Sequence, residues 1–175
     1  NRDWIHTERL EDCIRDCEPE GKVFIPDSSY REMTEWSLPV EKQLELDRLK
    51  HRFEEDEDFQ LAEQFISGGF WRNFKIRYPE TNDMYARMMY VSMLLQQADQ
   101  EGRDPELVEE ARQDLYRGQC NCAYWHGAFG GIYLPHLRNA VFRHLIAAEN
   151  RLEQANKRPA MWVEATADDY NFDGR

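Results

Sequence analysis

Residues 135–152 read PHLRNAVFRHLIAAENRL, and their pattern decides the fold. Leu137, Val141, Leu145, Ala148 and Leu152 recur every three or four positions, which gathers them on one stripe of an α-helix. Pro135 opens the stretch, where a first helical turn tolerates a missing N–H. Working upstream, Asp104-Pro105-Glu106 pairs an N-cap with proline at the first helical position. Residues 84–98 then set Met84, Met88, Val91, Leu94 and Leu95 on a single face. Toward the N terminus the signals shorten. Residues 3–18 carry Trp4, Leu10, Ile14 and Cys17 in a stripe stopped by Pro19-Glu20-Gly21. Ser29 is placed to cap a short helix to Trp36, with Glu32 completing a capping box. A longer helix starts at Pro39 and brings Leu44, Leu46, Leu49 and Phe53 to the acidic run at 54–58, which reads as a solvated face or helix junction. Residues 59–67 are amphipathic and end at Gly68-Gly69. The chain is predicted to be an all-α bundle of about six helices, with short extended segments near 22–26 and 161–164. Residues 1–158 form the helical domain and 159–175 the start of a linker toward a following domain.

Composition narrows the partners. The 34 acidic against 22 basic side chains leave a net charge of −12, which argues against nucleic acid and anionic membranes, since both need a basic footprint. No apolar run approaches the length of a membrane span. The four cysteines fall as Cys13-x-x-x-Cys17 and Cys120-x-Cys122, spacings that suit neither a tetrahedral zinc clamp nor a secreted disulfide framework. They read as reduced thiols of a cytoplasmic protein, with no metal and no cofactor expected.

Two segments do not look like ordinary helix. The first, Gly68-Gly69-Phe70-Trp71-Arg72-Asn73-Phe74, crowds aromatics around an Arg and an Asn after a glycine pair that lets backbone approach a neighbour. Trp71, Arg72 and Asn73 are candidates for a ligand-facing or interdomain role, against the plainer reading of a well-packed helix start. The second runs from Gly118 to His136 and sets Gln119, Asn121, Tyr124, Trp125 and His126 beside four glycines. Amide groups offer donor and acceptor together, an indole face suits the C–H face of a sugar ring, and an imidazole donates or accepts as its tautomer dictates. A buried aromatic cluster with satisfied polar groups is the competing reading.

These two segments closely resemble the central helical region of glycoside hydrolase family 57 proteins of the α-amylase and 4-α-glucanotransferase type. The match runs through Gly69-Phe70-Trp71-Arg72-Asn73-Phe74, through Gln119-Cys120-Asn121, and from Tyr124-Trp125-His126-Gly127 to His136-Leu137-Arg138. Pro26, Tyr30, Met33, Glu35-Trp36 and Leu38-Pro39 fit the opening of that region. The resemblance implies a larger retaining enzyme whose β/α barrel holds a Glu nucleophile and an Asp acid/base, with a β-sandwich domain following. This chain would then pack on the barrel and contribute Trp125, His126, Gln119, Asn121 and Tyr124 to an α-glucan or maltooligosaccharide cleft, with no catalytic residue of its own. Cys122 stands where the family's transferases carry Asp, which removes a charged acceptor for sugar hydroxyls. A helical scaffold that binds no sugar is the alternative. The tail Asp169-Tyr170-Asn171-Phe172-Asp173-Gly174 matches only the start of an EF-hand-like loop, and no tight Ca²⁺ binding is expected of it.

Overall fold

The computed structural model describes residues 7–24, 30–126 and 129–156, with 163, 165, 167 and 169. Eight α-helices follow one another there: α1 (Leu10–Asp16), α2 (Arg31–Trp36), α3 (Val40–Arg52), α4 (Glu57–Glu63), α5 (Trp71–Arg77), α6 (Pro79–Gln100), α7 (Pro105–Gly118) and α8 (Pro135–Ala155). Two 3-10 turns, Asn121–Ala123 and Gly131–Tyr133, lie between α7 and α8. Among the described residues there is no strand, so the all-α expectation holds with more, and shorter, helices than predicted.

The three long helices carry the core. Met84, Val91, Leu95 and Ala98 of α6 meet Val108, Ala111 and Leu115 of α7, and Val141, Leu145, Ala148 and Leu152 of α8. Fully burying one such large side chain contributes roughly 1.5–3 kcal/mol, so these stripes outweigh anything the short helices supply. Pro79 and Pro105 both occupy the first turn of their helices. Asp104 caps α7 by accepting from the Glu106 N–H at 3.1 Å. Pro79 also explains why α6 starts earlier than its methionine stripe implies: the proline is pre-set for helix, and Thr81 behind it is buried.

A polar clasp closes α7 on α8. Asp114 is only 5% exposed and accepts from His144 Nδ1 at 3.0 Å, from Arg117 at 3.2 Å and from Arg151. Burial by itself would raise its carboxyl pKa, but the His144 hydrogen bond and the Arg151 charge outweigh that and hold it below its ordinary value.

The short helices differ from their predicted spans for one reason. None of α1, α3 and α4 buries a residue of its own, and isolated helices of this length are marginal. α1 therefore begins at Leu10, with residues 7–9 non-helical, instead of spanning 3–18. α4 starts at Glu57 because Asp56 accepts from the Phe59 N–H at 3.0 Å, so the acidic run is a helix junction. It stops at Glu63 rather than 67. Residues 22–24 have no regular structure. The cap from Ser29, the segment at 161–164 and the start of a following domain at 159–175 lie outside the described residues, apart from isolated positions. No described helix is long and apolar enough to cross a membrane.

Candidate functional site

The loop between α7 and α8, residues 119–134, is pinned before it presents anything. Tyr124 is buried, and its hydroxyl donates to the Gly118 carbonyl at 2.7 Å. Thr81 of α6, fully enclosed, donates from Oγ1 to the Tyr124 carbonyl at 3.0 Å. The Ile132 N–H closes on the Trp125 carbonyl at 2.9 Å. Gly131 makes that closure possible, since its φ is +48° and any Cβ would run into the Trp125 carbonyl. Arg138 ties the far side, donating to the Ile132 carbonyl and pairing with Glu80 at 2.7 Å.

Trp125 and His126 lie at the centre of an aromatic cluster drawn from three parts of the chain: α2 with its cap, α5 with its cap, and the loop itself. The Trp125 indole stacks on Tyr30 at 4.6 Å and 5°, faces Trp36 at 6.2 Å, and meets Phe129 edge-on at 5.7 Å. His126 stacks on Trp36 at 4.4 Å and 14°, lies 5.6 Å from Phe74 and 5.1 Å from Tyr133, and joins Tyr78 Oη through Nε2 at 2.8 Å. Both residues are half-buried, and Tyr30 is 56% exposed, so the cluster reaches the surface rather than filling the core. The Trp125 indole N–H is enclosed with no acceptor among the described residues. Burial, helped by the Arg77 charge, holds the His126 imidazole below its ordinary pKa and keeps it neutral at pH 7.

The other predicted residues separate from these two. Gln119 is exposed at the end of α7, its amide 3.7 Å from Met88 Sδ. Asn121 is exposed in the first 3-10 turn and accepts from the Cys122 thiol at 3.6 Å. Tyr124 is an anchor, with its ring in the core and its hydroxyl spent on backbone. Trp71 packs on the core, stacked 5.5 Å from Phe74, and Asn73 caps α5 by accepting from the Phe70 N–H at 3.0 Å. Arg72 faces solvent. The Gly68-Gly69 pair serves protein rather than ligand: the Gly69 N–H reaches the Thr34 carbonyl of α2 at 2.7 Å, where a Cβ on Gly68 would collide.

Sequence reading missed the partners Tyr30, Trp36, Phe74, Tyr78 and Tyr133 as site residues. Their only local signal is an excess of aromatics at helix ends, which does not say which rings meet. All four cysteines are free and exposed, and no group of three or more metal-type side chains occurs among the described residues. Lys50 and Arg31 hold the Glu35 carboxyl below its ordinary pKa against the opposing effect of burial, so it is not poised as a proton donor.

Comparison with known proteins now assigns the segment. The family described as "Alpha-amylase/4-alpha-glucanotransferase, middle domain" matches residues 69–152, which take in α5 to α7, the whole of the loop and α8 as far as Leu152. Residues 69–152 belong to that middle-domain family. An alpha-amylase 1 of Dictyoglomus thermophilum is 44% identical over 140 residues, covering 80% of this chain and 20% of that protein. A 4-alpha-glucanotransferase of Thermococcus litoralis is 41% identical over 157 residues, covering 90% of this chain and 21% of that protein. The crystal structure of the 4-alpha-glucanotransferase from Thermococcus litoralis superposes with a TM-score of 0.62 at 36% identity, over 96% of this chain and 23% of that one. The chain thus spans about a fifth of the length of the curated relatives it matches. Both names attach to relatives of similar identity, so the middle domain by itself does not separate amylase from transferase.

Proposed function

We propose that this middle domain forms one wall of the α-glucan cleft of a retaining enzyme of the α-amylase or 4-α-glucanotransferase type, and has no turnover alone. The observation that carries this reading is the Trp125–His126 pair, held on a loop fixed to both α6 and α8 and exposed in part at the surface. Trp125 offers the platform for a sugar ring, His126 a hydrogen-bonding nitrogen, and Gln119 and Asn121 exposed amides nearby in sequence. The barrel that packs against this wall would supply both carboxyls, which a retaining mechanism needs about 5–5.5 Å apart.

The test is a titration of the 175-residue chain with maltoheptaose, followed on the Trp125 indole and His126 ring signals by NMR. Stacking on one aromatic platform supplies on the order of 1–3 kcal/mol, so binding is expected at millimolar affinity or weaker. Unmoved signals up to saturating sugar would overturn the reading. A purely structural cluster is favoured by one observation, the Tyr30 ring covering the Trp125 indole at 4.6 Å. Tyr30→Ala separates the two: it strengthens sugar binding if Tyr30 covers a platform, and only lowers stability if the stack is structural.

A further inference from the structure

Cys13 lies in α1 and Cys17 caps its C-terminal end, one helical turn further on. The fold joins the two residues twice. The Cys17 N–H bonds to the Cys13 carbonyl at 2.9 Å, and the two Sγ atoms lie 3.6 Å apart. Both side chains are exposed. α1 buries no residue of its own, so packing against the core does not account for the pair. The proposed glucan wall draws nothing from α1 either.

The distance between the sulfurs selects the chemistry. A disulfide needs about 2.05 Å, so the sulfurs would have to close by roughly 1.5 Å across a helical turn. Two thiolates on one tetrahedral Zn²⁺, each about 2.3 Å from the ion, lie about 3.8 Å apart. The observed 3.6 Å is close to that bite. The surrounding charges favour the same outcome. Arg9 and Arg15 engage the neighbouring carboxylates of Glu11, Asp12 and Asp16. The hydrogen bond with Cys13 first, then desolvation and the Glu8 charge, push the Cys17 thiol above its ordinary pKa. Little of it is thiolate at pH 7, which slows oxidation, whereas a bound dication stabilises the deprotonated sulfur directly.

We propose that Cys13 and Cys17 form a two-sulfur chelate for one thiophilic divalent cation of the Zn²⁺ and Cd²⁺ class. On binding, each thiol gives its proton to solvent, two sulfur–metal bonds form, and the hydrated ion releases water; nothing is oxidised or reduced. Among the described residues no third His, Cys, Asp or Glu joins the pair, so the ion keeps water at its remaining positions. The Cys-x-x-x-Cys spacing makes no four-ligand clamp; folded as one helical turn it supplies half of one. Chelation closes a ring across the last turn of α1, a helix too short to be stable by itself, and so orders that turn.

The test titrates the reduced 175-residue chain with Cd²⁺, whose thiolate charge-transfer absorption reports sulfur–metal bonds as they form. The expected result is one ion per chain by native mass spectrometry at micromolar Cd²⁺. Two of the four thiols should become protected from a disulfide reagent, and the α1 amides should exchange more slowly in the loaded chain. Cys13→Ser and Cys17→Ser should each abolish the absorption, while the double variant Cys120→Ser/Cys122→Ser keeps it. Both cysteines are exposed and α1 buries nothing, so the serine variants should keep the wild-type melting temperature. No absorption from the wild type overturns the proposal without reference to any variant. So does absorption that is lost with Cys120 and Cys122 instead, or one ion held between two chains. Sugar enters none of these measurements, so the outcome is independent of the glucan reading.

Discussion

Trp125 sets a platform role against a packing role within one side chain. Its indole is half-buried, stacked on Tyr30 and edged by Phe129, so truncation removes protein contacts as well as any sugar contact. In a full-length enzyme carrying this domain, Trp125→Ala is expected to lower kcat/KM for long glucans about 5–150-fold, the equivalent of 1–3 kcal/mol of stacking. The stability loss should stay below the roughly 3–5 kcal/mol of a fully buried Trp, because the site is only partly enclosed. A large fall in melting temperature with normal kcat/KM for the folded enzyme would assign Trp125 to packing alone. Asp114 gives the residue-scale pH prediction. Its carboxyl is held below the unfolded value of about 3.9, so its contribution is complete above that value and is lost as pH falls through the folded pKa. Urea midpoints measured between about pH 6 and pH 3 should therefore fall steeply for the wild type and less steeply for Asp114→Asn. Parallel acid limbs would show that the clasp with His144 and Arg151 contributes nothing.

At the scale of elements, the long helices and the short ones obey different rules. Leu145 of α8 is fully enclosed, and Leu145→Ala should cost about 2–5 kcal/mol, read from the denaturant midpoint. Leu44 of α3 is 52% exposed, and Leu44→Ala should fall within about 0.5 kcal/mol of the wild type. Equal losses would mean that α3 is buried in a way the fold does not show. The stripes of α6 and α8 were legible in the sequence because helical periodicity is local: Val141, Leu145, Ala148 and Leu152 are buried as their spacing predicts. The ends of α1 and α4 were not legible. Residues with no tertiary partner are decided by fractions of a kcal/mol per residue, and pattern does not resolve that.

For the whole molecule, the covered length is the deciding quantity. The chain corresponds to about 20% of the length of the relatives it matches, and the Glu35 carboxyl is held in its ionised form by Lys50 and Arg31. The purified chain is expected to release no sugar from starch or maltooligosaccharides, assayed by reducing ends and product chromatography. Turnover that persists through purification to homogeneity would place catalytic groups in this domain after all.

Sequence alone determined that the described residues are all-α and which stripes of α6 and α8 face inward, and it singled out the stretch around residues 119–138 as the candidate site. Each of these is written in neighbouring residues, through helical spacing, proline and cap positions, and the dense mixture of glycine, amide and aromatic side chains. It also brought Trp125 and His126 forward, together with Gln119, Asn121 and Tyr124. Only the tertiary structure decided what Trp125 and His126 touch. Tyr30, Trp36 and Tyr78 reach them from segments far upstream, while Tyr124, their immediate neighbour, turns into the core. The reason is physical: periodicity places a side chain on a face of its own helix, but which rings stack depends on how α2, α5 and the loop pack together. No local pattern encodes that packing, and here it rests on backbone closures at Gly69 and Gly131 that leave no room for a side chain.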